Sequence, residues 1–325
     1  MILNLEQVKA ITCGAESVIS GNGGFEFRRF TKEQTNAYIK YRDEMYGKKT
    51  LVNSGVRLAF TTDSTNFSLT YGHYTDHSLG FGWIEVFVDG RSAGNFPVDF
   101  NTRGKIELTE LGESVKNVEI HLPWQKNVTV SDITLNDGAI LKPLRRSRIL
   151  MAFGDSITMG QNAQITSRTY AAQLAARLDA DLYNKAIAGD RFFPELLDVE
   201  EPVTPDIITV AYGTNDWIVH SRETLTKRSR DFMVALSRKF PLVRIFAISP
   251  IWRATNTRIG KFGGPLSEVH GVIENAAAGL ANVTVIDGSK LAPCDPAYYT
   301  DGLHPHDFGM DIYADALYLE IKKHL

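Results

Sequence analysis

The rhythm of apolar and polar positions changes near residue 145. Upstream, short runs alternate the two kinds of side chain: 56–61 (VRLAFT), 67–71 (FSLTY), 83–88 (WIEVFV), 105–108, 118–122 and 128–135. Alternation over such lengths predicts strands with one face buried. Asp89-Gly90, between WIEVFV and RSAGNF, predicts a tight hairpin, because both central residues of a type I′ turn need positive φ. Asn136-Asp137-Gly138 punctuates the end of the last run. A single helical stretch, TKEQTNAYIKYRDEM from Thr31, interrupts the series. Many short strands at even spacing predict a β-sandwich of jelly-roll type.

Downstream of Pro143-Leu144-Arg145-Arg146 the pattern becomes strand, helix, strand, helix. The runs 148–153 (RILMAF), 207–212 (IITVAY), 243–249 (VRIFAIS) and 283–287 (VTVID) have few polar interruptions. Such strands are buried on both faces, as in a parallel sheet. Between them lie the helical stretches TYAAQLAARL, RETLTKRSRDFMVALSRKF and PLSEVHGVIENAAAGL, and after them DFGMDIYADALYLEIKKHL. The expectation is therefore a sandwich domain over 1–145 and a doubly wound α/β domain over 146–325, with ligands bound beyond the carboxyl ends of the parallel strands.

Length agrees: 325 residues make two domains at roughly 150 each. With 35 basic and 38 acidic residues, a net charge of −3 provides no global field for a polyanion, so nucleic acid is not an expected partner. A hydrophobic content of 43% excludes disorder. No apolar run reaches the roughly 18 residues of a membrane helix, so no membrane partner is expected. MILNLEQVKAITCG lacks the basic start of a secretory leader, which makes the cytoplasm the expected location. Cys13 and Cys294 stand far apart with no metal-binding spacing, so neither a disulfide framework nor a zinc site is expected.

Candidate chemistry gathers at the ends of the parallel strands. The first runs into Gly154-Asp155-Ser156-Ile157-Thr158-Met159-Gly160, where a serine on a sharp strand-to-helix turn can present its Oγ above the sheet. The GxSxG elbow of α/β-hydrolases is absent. A plainer reading makes Asp155 and Ser156 helix caps. Asn215, in YGTND, is either a turn residue or an oxyanion donor; Gly189, in AIAGD, is either a turn glycine or one that lets substrate reach its N–H. In DGLHPH, Asp301 lies three residues before His304 and can hold its Nδ1. The competing readings are a metal cluster of Asp301, His304, His306 and Asp307, and a solvated polar loop.

Taken together, these blocks resemble the SGNH (GDSL-type) hydrolase superfamily over roughly residues 147–325. GDSITMG resembles its first block, AIAGD the second, YGTND the third and DGLHP the last; Ile157 stands where the family often has leucine. The resemblance implies a flavodoxin-like sheet and a hydrolase of esters. It implies Ser156 as nucleophile, His304 as general base and Asp301 as its orienting acid. The implied oxyanion hole is the Ser156 and Gly189 N–H groups and the Asn215 amide, and no metal or organic cofactor is needed. A sandwich fused to such a domain is similar to carbohydrate O-acetylesterases, which implies acetylated xylan- or mannan-type oligosaccharides as substrates. On that reading Trp217, Trp252 and Arg253 lie on the catalytic rim and contact sugar, while Phe192 and Phe193 either bound a short acyl pocket or belong to the core. The alternatives are an acyltransferase, a lipase or thioesterase with the same triad, and a non-catalytic carbohydrate-binding protein. His73, His77, Tyr71, Tyr74 and Phe81 cluster in the upstream half without naming a role, and nothing predicts an oligomeric state.

Overall fold

The computed structural model describes residues 1–21, 23–73, 82–99, 103–254 and 260–325; His77, Tyr74 and Phe81 lie outside them. Five parallel strands, β1 (Arg148–Gly154), β2 (Ala180–Asn184), β3 (Ile207–Ala211), β4 (Arg244–Ile248) and β5 (Val283–Ile286), form a sheet of order 2-1-3-4-5. That is the flavodoxin-like order. The helices are α1 (Ser156–Met159), α2 (Tyr170–Arg177), α3 (Thr214–Val219), α4 (Arg222–Lys239), α5 (Glu268–Ala277) and α6 (Asp307–Lys322).

Successive strand residues enter opposite layers, which is why these runs carry so few polar positions. Met151, Phe153, Ile208 and Val210 pack with Phe232 and Leu236 of α4 and Val269 and Ile273 of α5. Leu150, Ala152, Phe246 and Ile248 pack with Leu174 of α2 and Met310, Tyr313 and Leu317 of α6. Side-chain caps start α2, α4 and α6: Thr169 Oγ accepts the Ala172 N–H, Ser221 Oγ that of Thr224, and His306 that of Phe308.

The upstream half folds into two antiparallel sheets. One orders Ser17–Gly21, Gly24–Arg28, Val128–Leu135, Phe67–His73 and Arg103–Leu108 side by side. The other orders Thr12–Cys13, Arg57–Thr62, Lys116–His121, Gly82–Val88 and Arg91–Val98, with Lys142–Pro143 also on Arg57–Thr62. Val18, Phe27 and Val130 of the first sheet share one core with Leu58, Phe60, Ile84 and Ile120 of the second. Asp89 and Gly90 turn at φ +48° and +73°, as the hairpin requires.

The helical stretch from Thr31 is two helices, Lys32–Tyr41 and Glu44–Lys49. Arg42 leaves helical geometry at φ −118°, ψ −89°, and Asp43 caps the second helix through the Tyr46 N–H. The N-terminal helix Leu5–Ile11 and the Ser17–Gly21/Gly24–Arg28 hairpin are additions to the sequence reading. No helix of the described residues is long and apolar enough to cross a membrane.

Candidate active site

The turn after β1 is closed by packing. A Cβ on Gly154 would lie 2.1 Å from Thr158 Oγ1, so the strand can enter α1 this tightly only at glycine. Asp155 caps α1 by accepting the Ile157 N–H at 3.0 Å. The capping reading of this pair is thus correct for Asp155, and it leaves the Ser156 hydroxyl available. Ser156 Oγ lies 2.8 Å from His304 Nε2, and both residues are buried, each only 6% exposed.

His304 reaches that position from the loop before α6. Its Nδ1 is 2.7 Å from Asp301 Oδ2, while Asp301 Oδ1 accepts the backbone N–H groups of His304 and Leu303 at 2.8 and 3.0 Å. Burial by itself would raise the Asp301 pKa, but these hydrogen bonds and the adjacent imidazole hold the carboxyl below its usual range. An ionised carboxylate only accepts, so it puts the imidazole proton on Nδ1 and leaves the Nε2 lone pair facing Ser156. Of the four residues of the cation-cluster reading, Asp301 and His304 bond each other and the other two bond elsewhere. His306 bonds the Ala297 carbonyl through Nε2 and the Phe308 N–H through Nδ1, and Asp307 accepts the Gln164 N–H.

The three expected oxyanion donors have different surroundings. Its own N–H opens α1, where first-turn N–H groups lack intrahelical acceptors. The Gly189 N–H makes no hydrogen bond within the described residues. Asn215, on α3, directs Nδ2 toward Asp155 Oδ2 at 3.3 Å and the Asp190 carbonyl at 3.1 Å. Asp155 is fully buried, and burial, reinforced by Asp216 and Asp190 and opposed by the Ile157 N–H and Arg253, pushes its pKa up to about 7.

The rim residues correct the sequence reading in two places. Trp217 is a core residue, 2% exposed, with its indole N–H on the Gly264 carbonyl at 2.7 Å. Arg253 is buried too, bonding Thr214 Oγ1 at 3.1 Å with its guanidinium 5.7 Å from the Trp217 ring. Only Trp252 of the three remains half-exposed. Its ring packs against Tyr299 and borders an open cavity of about 680 Å³ that His270, Asp287 and Ser289 also line. Phe192 and Phe193 are core, packed on Tyr212 and Tyr38.

Sequence reasoning missed the upstream residues that surround the Gly189 loop. Tyr46 Oη donates to the Gly189 carbonyl and Lys49 Nζ to the Ala188 carbonyl, each at 2.8 Å. Tyr38 Oη and Tyr212 Oη donate to the buried Asp190 carboxylate at 2.9 and 3.2 Å. Nothing in the local pattern of residues 38–49 signals the Tyr38, Tyr46 and Lys49 contacts, which span more than 130 residues of chain.

Residues 152–312 match the model of the GDSL-like Lipase/Acylhydrolase family. Among solved structures, the chain is similar to the salicylyl-acyltransferase SsfX3 from a tetracycline biosynthetic pathway, with a TM-score of 0.80 and 21% identity over 96% of this chain and 94% of that one. It is similar also to a family two carbohydrate esterase from Clostridium thermocellum in complex with cellohexaose (TM-score 0.67, 19% identity, 84% and 93% covered). An acetyl xylan esterase, Est2A, from Butyrivibrio proteoclasticus has a TM-score of 0.64 at 15% identity, with 85% and 93% covered. No curated protein sequence matches the chain significantly.

Proposed function

The chain contains a domain of the GDSL-like lipase/acylhydrolase family over residues 152–312, and from that premise we propose that it is a serine esterase removing acetyl groups from acetylated carbohydrates. The observation that carries the proposal is the continuous Ser156–His304–Asp301 hydrogen-bonded line, at 2.8 and 2.7 Å. His304 Nε2 takes the Ser156 proton as Oγ attacks the acyl carbonyl. The carbonyl oxygen becomes an oxyanion facing the Ser156 and Gly189 N–H groups and the Asn215 amide, which turns one N–H from the Asp190 carbonyl to it. His304 then passes its proton to the departing alcohol oxygen, leaving the acyl group on Ser156. A water molecule, deprotonated by His304, releases the acid and restores the serine.

Support for an acetyl rather than a long acyl group comes from the likeness to an acetyl xylan esterase. Support for a sugar comes from Trp252 and its hydroxyl- and imidazole-bearing cavity, and from the fold shared with the carbohydrate esterases. A second reading, transfer of the acyl group to an acceptor alcohol, is favoured by the full-length likeness to a salicylyl-acyltransferase. Product analysis with excess acceptor separates the two.

Ser156→Ala should lower kcat for p-nitrophenyl acetate by on the order of 10⁴ or more and abolish fluorophosphonate labelling, with folding intact. Asn215→Ala should cost roughly 10²–10³. Acetyl esters should far outrun octanoyl esters, and NMR of acetylated xylo- and manno-oligosaccharides during digestion reads the sugar class. Near wild-type hydrolysis by Ser156→Ala would overturn the nucleophile, and faster cleavage of octanoyl esters would overturn the acetyl preference.

A further inference from the structure

We propose that Lys49, from the upstream half of the chain, is a positioning residue that locks the 187–190 turn in the form that presents the Gly189 N–H to the oxyanion. The proposal rests on the esterase reading above and adds the device that sets one of its donors.

The Asp190 N–H donates to the Ile187 carbonyl at 3.0 Å, closing a four-residue turn. Gly189 occupies its third position at φ +82°, whereas Ala188 is not among the positive-φ residues. A single positive φ at that position is the signature of a type II turn. Types I and II differ by a rotation of the central peptide through about half a turn, here the peptide joining Ala188 to Gly189. The carbonyl and N–H of a trans peptide point in opposite directions from one rigid plane. Rotating this peptide would therefore exchange the Ala188 carbonyl and the Gly189 N–H, turning a lone pair toward the oxyanion.

Lys49 Nζ donates to that Ala188 carbonyl at 2.8 Å, so it bonds the plane on the side away from the N–H. Tyr46 Oη bonds the next carbonyl, that of Gly189, at 2.8 Å, which fixes the peptide that follows. The Lys49 ammonium is itself held 4.6 Å from the Tyr46 ring centroid, and both residues lie on the helix Glu44–Lys49. Arg29, buried beneath, bonds the Ala186 carbonyl at 3.1 Å and anchors the start of the loop. The upstream half thus binds the carbonyl edge of the Gly189 loop and leaves its N–H edge to the reaction. The cation acts through the turn, not through the substrate, so the effect should appear with a neutral ester.

The test compares wild type with Lys49→Met, Lys49→Arg and Ser156→Ala on p-nitrophenyl acetate. Two affinities are measured beside the kinetics: that for methylboronic acid, which forms a tetrahedral adduct on the serine, and that for acetate. Lys49→Met should lower kcat roughly 10- to 100-fold with KM within about twofold. Boronate affinity should weaken in parallel, acetate affinity should stay level, and Tm should be retained. Lys49→Arg, which keeps a donor at the carbonyl, should restore most of the loss. Wild-type kcat and boronate affinity in Lys49→Met would overturn the proposal, as would a loss of kcat without a matching loss of boronate affinity. Ser156→Ala separates the two layers: if it is inactive while Lys49→Met is normal, only the positioning role fails. If it stays active, the esterase site itself is wrong.

Discussion

Asp155 shows how much one residue is asked to do. Its Oδ1 caps α1 through the Ile157 N–H, and its Oδ2 accepts from Asn215 Nδ2. An asparagine at this position could keep the cap only by turning its NH₂ toward the Asn215 NH₂, donor against donor. Asp155→Asn should therefore cost kcat up to the loss expected for Asn215→Ala, with KM little changed. The same residue makes stability fall with pH. Burial raises its pKa from 3.8 to about 7, so between those values the folded protein keeps a proton that the unfolded chain has released. Its contribution is fully present below the unfolded value and lost as pH rises through about 7. Urea unfolding between pH 4 and pH 8 should show this decline, on the order of a few kcal/mol at most, and Asp155→Asn should make it shallower, with buried Glu16 supplying part of the rest. Asp301 runs the other way: its folded pKa is lowered, so its contribution is lost as pH falls through that value.

At the scale of elements, the helix explains why the rim was misread at Trp217. Asn215 and Trp217 are two residues apart on α3, about 200° around its axis, so they cannot share a face. With the Asn215 amide turned to the Asp155 and Asp190 side, the indole must enter the core. The end of β2 carries a second feature that local pattern does not announce. Lys185, 1% exposed, bonds Glu201 at 3.0 Å, the Arg29 carbonyl at 3.1 Å and Gln34 Oε1 at 3.2 Å, and it pairs with Glu16. Burial lifts Glu16 to about 7 despite this lysine, and Glu201 adds to the rise. Lys185→Met would leave two buried carboxyls without their cation. It should destabilise the protein by about 3–5 kcal/mol at neutral pH, read from urea midpoints, and by less at pH 5, where Glu16 is protonated.

Across the whole molecule, the upstream half is built into the parallel-sheet half. Phe30, Ala37 and Tyr38 belong to the same apolar cluster as Phe192, Phe193 and Phe232. Arg57 pairs with Asp181, Ser54 Oγ bonds the Met159 carbonyl at 2.6 Å, and the Trp124 indole bonds the Ala163 carbonyl at 3.0 Å. Cutting the chain at the boundary expected from sequence would bare this apolar surface and strip both the Gly189 loop and the loop after α1 of their partners. Residues 146–325 alone should lack a cooperative unfolding transition and ester hydrolysis. The full chain should unfold in one step, with tryptophan fluorescence and far-UV circular dichroism coincident. Two well-separated transitions would contradict this account.

What could be read from sequence was what neighbouring residues decide among themselves. Strands buried on both faces announced the parallel sheet, Asp89-Gly90 its hairpin, and Asp301 with His304 a contact only three residues long. These follow from backbone dihedrals and side-chain period, which act within a few residues. The break at Arg42-Asp43, the burial of Trp217 and Arg253, and the donors behind Gly189 came only with tertiary structure. So did the 2.8 Å approach of Ser156 to His304 across 148 residues. Such contacts depend on how layers stack and which carbonyl edge a distant helix covers, and no local window of the chain contains that information.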